Sequence, residues 1–542
     1  MNGDLSKAFR LIDNCAEEQR RSAAIPGMAI AITDREKVLH VSTFGHSDLS
    51  SRTPVSPETM FEIGSISKSF ASVIALQLVD EGRLDLHRPV SEYLPWFEVR
   101  SSFKPITLHH LMSHTAGIMT GTEATMGGMT EAMALRETDV TAEPGTFFHY
   151  SNTGYKIVGL VIEKVLGETF GTSLKKRIFE PLGMNSSEPV ITSDLRERLA
   201  VGYAHMHDDR PRPLDGKYVP ATWAESDTAD GSISSTASDM AAYMRMLLNR
   251  GEGPVGTLLS SKSHDLLVQK VIKPDDSVHG ESYGYGLDVG EEDGHVLIGH
   301  TGGMIGFVSS MLLDMESGFG VIILINCSSF DPKAALCRAI LRVLRSAAEG
   351  ESLQPPKTID PKLIENASEY EGTYASGSRE LRIVAKGKRL FIDGRPPVPL
   401  ESRGKDEFFA RSPDYNLFLM RFGRKGEKVV EVTYGPDWYV GESYTGPKAF
   451  KHSRRWEAYP GHFRTHDPWV QNFRIILRKG ALVMVESFPP GSEQPLIPLG
   501  EDAFRIGADE RSPETIRFDM LLEGKAMRAT LSGCECYRFF TP

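Results

Sequence analysis

The spacing of apolar and polar residues changes several times along the chain, and each change predicts an element. From about Leu5 to Arg21 apolar residues recur every three to four positions among charged ones, the mark of an amphipathic helix. "GMAIAITDREKVLHVSTFG" follows, two β-rich runs around a charged turn, and predicts a hairpin beside that helix. The same texture returns near residue 300. There "HVLIGHTGG", "GFVSSMLLDMESG" and "GFGVIILINCS" read as three strands parted by glycine-bearing turns, with a helix from near Pro332 to Ser346 behind them. Between these β-rich ends, Ser65 to Leu248 is mostly helical pattern and loop, as in "LHHLMSHTAGI" and "SDMAAYMRMLLNR". The expected fold class is therefore α+β for residues 1–348, with one sheet completed by both ends of the segment.

At "EGESLQPPKTIDPK" the composition turns polar and proline-rich, which predicts a linker over 349–362. Helical periodicity stops there. Two stretches, 363–450 and 451–542, carry related pieces in the same order: "YEGTYASGSRELRIVAKGKRLFI" matches "YPGHFRTHDPWVQNFRIILRKGALVMV", and "PLESRGKDEFFA" matches "PLIPLGEDAFRI". Short strands and turns in each copy predict two small antiparallel modules, barrel-like or sandwich-like.

Composition narrows the function classes. A chain of 542 residues, 40% hydrophobic and 25% charged, is globular and long enough for two or three domains. With 61 Lys and Arg against 72 Asp and Glu the net charge is −11, and no basic cluster is interleaved with aromatics, so nucleic acid is not an expected partner. No apolar run approaches the roughly 20 residues of a membrane span; the longest, around "FGVIILINC", reads as a buried strand. The N-terminal stretch lacks the pattern of a secretory signal, and the five cysteines, Cys15, Cys327, Cys337, Cys534 and Cys536, have no framework spacing. Both features lead to the expectation of a cytoplasmic protein with reduced thiols and no membrane partner.

The candidate chemistry begins at "FEIGSISKSFAS". Ile66, Phe70, Val73, Ile74 and Leu78 mark the buried face of a helix starting at Gly64 or Ser65. Ser65 then lies at the N-terminus, where the dipole favours developing negative charge, and Lys68 shares its face at i+3. A serine is a weak nucleophile until a neighbouring base or amine takes its proton. Spacing alone does not single this pair out, because Ser101/Lys104, Ser173/Lys176 and Ser402/Lys405 repeat it. Two further stretches do: "PGTFFHYSNTGYKIVG", with Tyr150, Ser151 and Asn152, and "LIGHTGGMIGF", with His300, Thr301, Gly302 and Gly303 on a predicted strand. Taken singly, Tyr150 could be a packed aromatic beside Phe147 and Phe148, and the two glycines a turn.

Together and in this order the three motifs resemble the penicillin-recognising serine hydrolases, in the branch of class C β-lactamases, DD-peptidases, D-aminopeptidases and esterases. The resemblance spans about residues 10–345 and extends to "LMSHTAGI" and the "EPG" before the tyrosine motif. It implies a β-lactamase/transpeptidase-like domain: an antiparallel sheet flanked by helices plus a helical subdomain. It also implies catalytic roles for Ser65 as acylated nucleophile, Lys68 and Tyr150, either of which can take the serine proton. Asn152, His300 and Thr301 would bind substrate, and the backbone N–H groups of Ser65 and Gly303 would form the oxyanion hole. No metal or cofactor is implied. Many relatives carry lysine where this chain has His300; a neutral imidazole anchors a carboxylate weakly, which favours amidase, aminopeptidase or esterase work over β-lactamase or carboxypeptidase action.

The function expected is an acyl-enzyme hydrolase of small amides or peptides, D-aminopeptidase-like, with at most weak β-lactamase activity. A carboxylesterase using the same residues is the near alternative, and a non-hydrolytic penicillin-binding or ligand-sensing protein the distant one. The C-terminal modules resemble the lipocalin-like domains of some related peptidases, which implies homo-oligomer formation or a role at the cleft; ligand binding of their own is the other option. Weaker candidates are "HMHDDR" (His205 to Arg210) as metal ligands, Cys534 and Cys536 on an alternating strand, and His109, His110 and His114 as helix caps or packing. "GEEDG" reads as a solvated turn.

Overall fold

The structure, a computed structural model, describes residues 5–121, 127–275, 277, 280–328, 333–355, 360–470, 472–487 and 490–539, with backbone alone at 333–334. The first unit is built on eight strands: β1 (Gly27–Thr33), β2 (Val38–Asp48), β3 (Thr53–Pro54), β4 (Ser282–Tyr283), β5 (Asp288–Glu292), β6 (His295–Met304), β7 (Phe307–Asp314) and β8 (Gly320–Ile325). Their order across the sheet is β4-β5-β6-β7-β8-β1-β2-β3, antiparallel throughout. β1 meets β8 at the centre, from Met28 opposite Ile325 to Thr33 opposite Gly320, so both ends of the segment do complete one sheet. Every position of these two strands is buried. Covered on both faces, they read as unbroken apolar runs instead of alternating ones.

Helices α1 (Ser6–Ser22), α2 (Ser67–Asp80), α3 (Asn152–Leu166), α4 (Ala237–Leu248) and α5 (Lys333–Glu349) frame this sheet and the site. Ile12 and Ala16 of α1 and Ile340 and Leu344 of α5 share one core with Met28, Ile30, Ile32, Val321 and Ile323. On the opposite face α4 packs against β1 and β8, and Gly320 leaves room there for Met244. The α2 pattern predicted one buried face; in the fold every residue from Ser67 to Leu78 is buried. Its polar residues are accommodated by hydrogen bonds: Ser69 Oγ to the Ile66 carbonyl (2.8 Å) and from the Tyr243 hydroxyl (2.9 Å), and Ser72 Oγ with the Tyr155 hydroxyl (3.1 Å). In the "GEEDG" turn Glu291, Asp293 and Gly294 are exposed, and Glu292 alone departs from the solvated reading, gripped by Arg338, Arg342 and Arg345 of α5. Among the described residues no helix is long and apolar enough to cross a membrane.

The second unit holds two closed eight-stranded barrels, the first from Gly372 to Val440 and the second from Gly461 to Phe539. Closure is at Ala375 opposite Val440 and His462 opposite Phe539. The sequence repeat builds a repeated tie: the Tyr370 hydroxyl donates to Asp406, and Tyr459 donates to Asp502. Each aspartate also receives an arginine, Arg424 or Arg455. Side chains fill both interiors, with Phe408 and Phe422 in one and Phe463, Phe504 and Phe518 in the other. Cys534 and Cys536 face inward and belong to that second core.

Candidate active site

Ser65 stands in a short 3-10 turn, Gly64–Ile66, that runs directly into α2 at Ser67. Two glycines bring this turn against β6. Gly64 has φ +54, and a side chain there would come within 2.7 Å of the Gly303 backbone; one at Gly302 would strike the Ile63 carbonyl at 1.9 Å. Only glycine allows so close a backbone approach, and it sets the Ser65 turn beside Gly303. Ser309 Oγ fastens the junction by donating to the Ile63 carbonyl at 2.7 Å.

Lys68 has no exposed surface. Its Nζ lies 3.0 Å from Ser65 Oγ and donates to the Asp230 carbonyl at 2.8 Å. The same Nζ is 5.0 Å from the centre of the Tyr150 ring and 5.8 Å from that of Tyr155. The chain around Tyr150 is held on both sides. Ser151 caps α3 by accepting the Gly154 N–H (3.0 Å) and donates to the Met119 carbonyl (2.7 Å). Thr120 Oγ1 donates to the Tyr150 carbonyl at 2.9 Å, and the Asn152 N–H donates to the Thr120 carbonyl at 2.8 Å. Asn152 is thus the first residue of α3 and is half-buried.

Along β6 the side chains alternate: His300 and Gly302 are buried, Thr301 and Gly303 exposed. His300 Nδ1 is 2.5 Å from the Thr301 carbonyl, so it donates, and Nε2 is left to accept from the Tyr283 hydroxyl at 3.1 Å. Both nitrogens are therefore engaged inside the fold, and the imidazole is neutral. Burial and then the Lys68 charge push its pKa down to about 4. Beside Met304, the neighbour of Gly303, a cavity of about 140 Å³ is lined by Glu62, Trp223, Ile305 and Phe307 among others. Burial raises the Glu62 carboxyl to about 8.

The other Ser-x-x-Lys pairs lack this geometry where it can be traced; Ser173 and Lys176 both turn to Glu168. The "HMHDDR" aspartates do not gather at one point: Asp208 pairs with Arg464 (2.5 Å) and Asp209 with Arg474 and Arg210 (both 2.8 Å), within the barrel-bearing unit to which 206–216 belongs. Arginine competition likewise explains His295, Asp314 and Glu316, the one cluster of metal-ligand type among the described residues, where Arg345 lies 3.3 Å from Asp314. His110 does cap a helix, in a capping box with Thr107. Residue-by-residue reading missed Asp230, Tyr283 and the position of His114 against Tyr150; for His114 the usable signal was its place in "LMSHTAGI".

Known proteins are similar to this chain over the region that holds the site. The family model described as Beta-lactamase matches residues 12–344. Penicillin-binding protein 4 of Amycolatopsis lactamdurans is 30% identical over 365 residues, covering 65% of this chain and 93% of that protein. Protein flp of Staphylococcus aureus (strain N315) is 26% identical over 329 residues, 59% of this chain and 63% of its own length. Among solved structures, the octameric penicillin-binding protein homologue from Pyrococcus abyssi superposes with a TM-score of 0.58 at 27% identity, over 81% of this chain and 100% of that one.

Proposed function

The chain belongs to the beta-lactamase family, a family of serine hydrolases, and from that membership and the site geometry we propose an acyl-enzyme hydrolase of small amides or peptides, of the amidase or D-aminopeptidase kind. The observation that carries this reading is the buried Lys68 Nζ, 3.0 Å from Ser65 Oγ and 5.0 Å from the Tyr150 ring. Ser65 attacks the substrate carbonyl while Tyr150, its phenolate favoured by the Lys68 ammonium, takes the hydroxyl proton. The backbone N–H groups of Ser65 and Gly303 hold the oxyanion, where one donor is worth about 10²–10³ in rate. Tyr150 then protonates the leaving group and activates water for deacylation. Asn152 and Thr301 line the substrate path. His300 does not anchor a substrate carboxylate, since both its nitrogens are engaged and it is neutral.

A carboxylesterase is the second reading, favoured by the same neutral His300, which gives no advantage to charged substrates. Assembly and location extend the proposal. The Pyrococcus abyssi relative is octameric, which supports a homo-oligomer here, with Met520, Leu521 and Leu522 exposed on the second barrel as an apolar surface for it. The five free, buried cysteines fit a reducing cytoplasm. A panel of p-nitroanilides of D- and L-amino acids, short p-nitrophenyl esters and nitrocefin tests the substrate class. Uncharged amides should outrank nitrocefin; a clear preference for nitrocefin would refute the amidase reading.

A further inference from the structure

His114 is 1% exposed, sits in the left-handed backbone region at φ +55, and is surrounded by the machinery without belonging to it. Its Nδ1 accepts the Ser151 backbone N–H at 3.0 Å, and its carbonyl accepts the His149 N–H at 2.8 Å. Its ring centre lies 4.2 Å from that of Tyr150, tilted by 36°. One residue therefore touches the phenol and the backbone on both sides of it.

An imidazole that accepts on Nδ1 is neutral only with its proton on Nε2, and Nε2 has no hydrogen-bond partner among the described residues. A buried N–H without a partner loses its hydration and gains nothing in return, so packing alone would be served better by an apolar ring. The other rings against it are Tyr283 (4.8 Å), Tyr155 (5.3 Å) and Phe148 (5.8 Å), and the basic groups acting on it are Lys68, His300 and His149. Burial first, then the Lys68 charge, hold the imidazole far below its ordinary pKa.

We propose that His114 is a positioning residue for Tyr150: its neutral ring fixes the plane of the phenol, and its Nδ1 fixes the backbone after it, so that Tyr150 stays beside Lys68 and the Ser65 proton. This rests on the reading of Tyr150 as the base. Protonation of His114 would release the Ser151 N–H and set a second cation beside Lys68, so the neutral form is part of the device.

Two variants of the full chain separate the contributions. His114→Asn keeps an acceptor near the Nδ1 position and tolerates a positive φ, but loses the ring; His114→Phe keeps the ring and loses the acceptor. Ser65 labelling by a fluorophosphonate is followed against pH, with thermal melting of each variant alongside. Labelling should slow by about 10²-fold in both, the loss expected of a base displaced by about 1 Å. The rising limb of the pH–rate curve should also move to higher pH, because the phenol is no longer held against Lys68. A limb that stays in place, with rates within about threefold of wild type in either folded variant, overturns the inference. If His114→Phe does not fold, His114→Asn decides alone. Wild-type protein that takes no label at Ser65 would instead sink the hydrolase reading itself.

Discussion

Replacing Lys68 by methionine tests how the nucleophile is activated. The change removes a fully buried cation and leaves an unbranched side chain of similar length, so no uncompensated charge remains inside. With Nζ 5.0 Å from the centre of the Tyr150 ring, an effective dielectric of about 20 gives roughly 3 kcal/mol between ammonium and phenolate. At 1.36 kcal/mol per pH unit this is about two units of the rising limb of the acylation rate. Lys68→Met should therefore acylate about 10²-fold more slowly at neutral pH and recover as the pH climbs by about two units. Loss of the Nζ contacts to Ser65 and Asp230 lowers the recovered plateau as well. Single-turnover acylation by a chromogenic ester, measured against pH in both proteins, gives the limb directly. A limb that does not move would show that Lys68 does not stabilise the base. Loss of the limb altogether would assign the proton to the lysine amine.

Tyr150→Phe should lower acylation by several orders of magnitude, and Tyr150→Phe with Lys68→Met should be barely worse, since the two act as one unit; additive losses in single-turnover kinetics would separate them. His300, at about 4 in the fold against about 6.5 in the unfolded chain, makes the unfolded state bind more protons between those values. Its contribution to stability is whole above about pH 6.5 and lost as the pH falls toward 4, so urea melts should show His300→Gln losing less stability than wild type across that window. Glu131 and Lys156 form a buried pair at 3.0 Å with side chains 1% and 5% exposed; Glu131→Ala should cost about 3–5 kcal/mol in chemical denaturation, and a change under about 1 kcal/mol would contradict the pairing.

The parts of the site encoded by local spacing are legible in the chain. Ser65 and Lys68 lie one turn apart, the glycines of β6 mark a close approach, and the repeated tyrosine and aspartate of the C-terminal stretches become the same tie in two barrels. Contacts made only by folding are not. The Asp230 carbonyl that receives Lys68 is 162 residues away, and Ser151 reaches His114 across 37. No periodicity links such positions. The helix carrying Lys68 reads as one-sided because its serines look solvent-facing, yet Tyr155 and Tyr243 satisfy them inside the core. Glu292 of "GEEDG" reads as solvated like its exposed neighbours because the arginines that hold it lie on a helix some fifty residues on. "HMHDDR" gathers ligand types in sequence, and arginines disperse them in space.

The central claim is that Ser65 becomes acylated, and mass spectrometry of the protein quenched during turnover tests it most directly. On the best ester or amide of the substrate panel, the intact mass should rise by one acyl group, peptide mapping should place that group on Ser65, and Ser65→Ala should show neither adduct nor turnover while melting as wild type does. Turnover that persists in Ser65→Ala, or an adduct mapped to another serine such as Ser101, Ser173 or Ser402, would contradict the account.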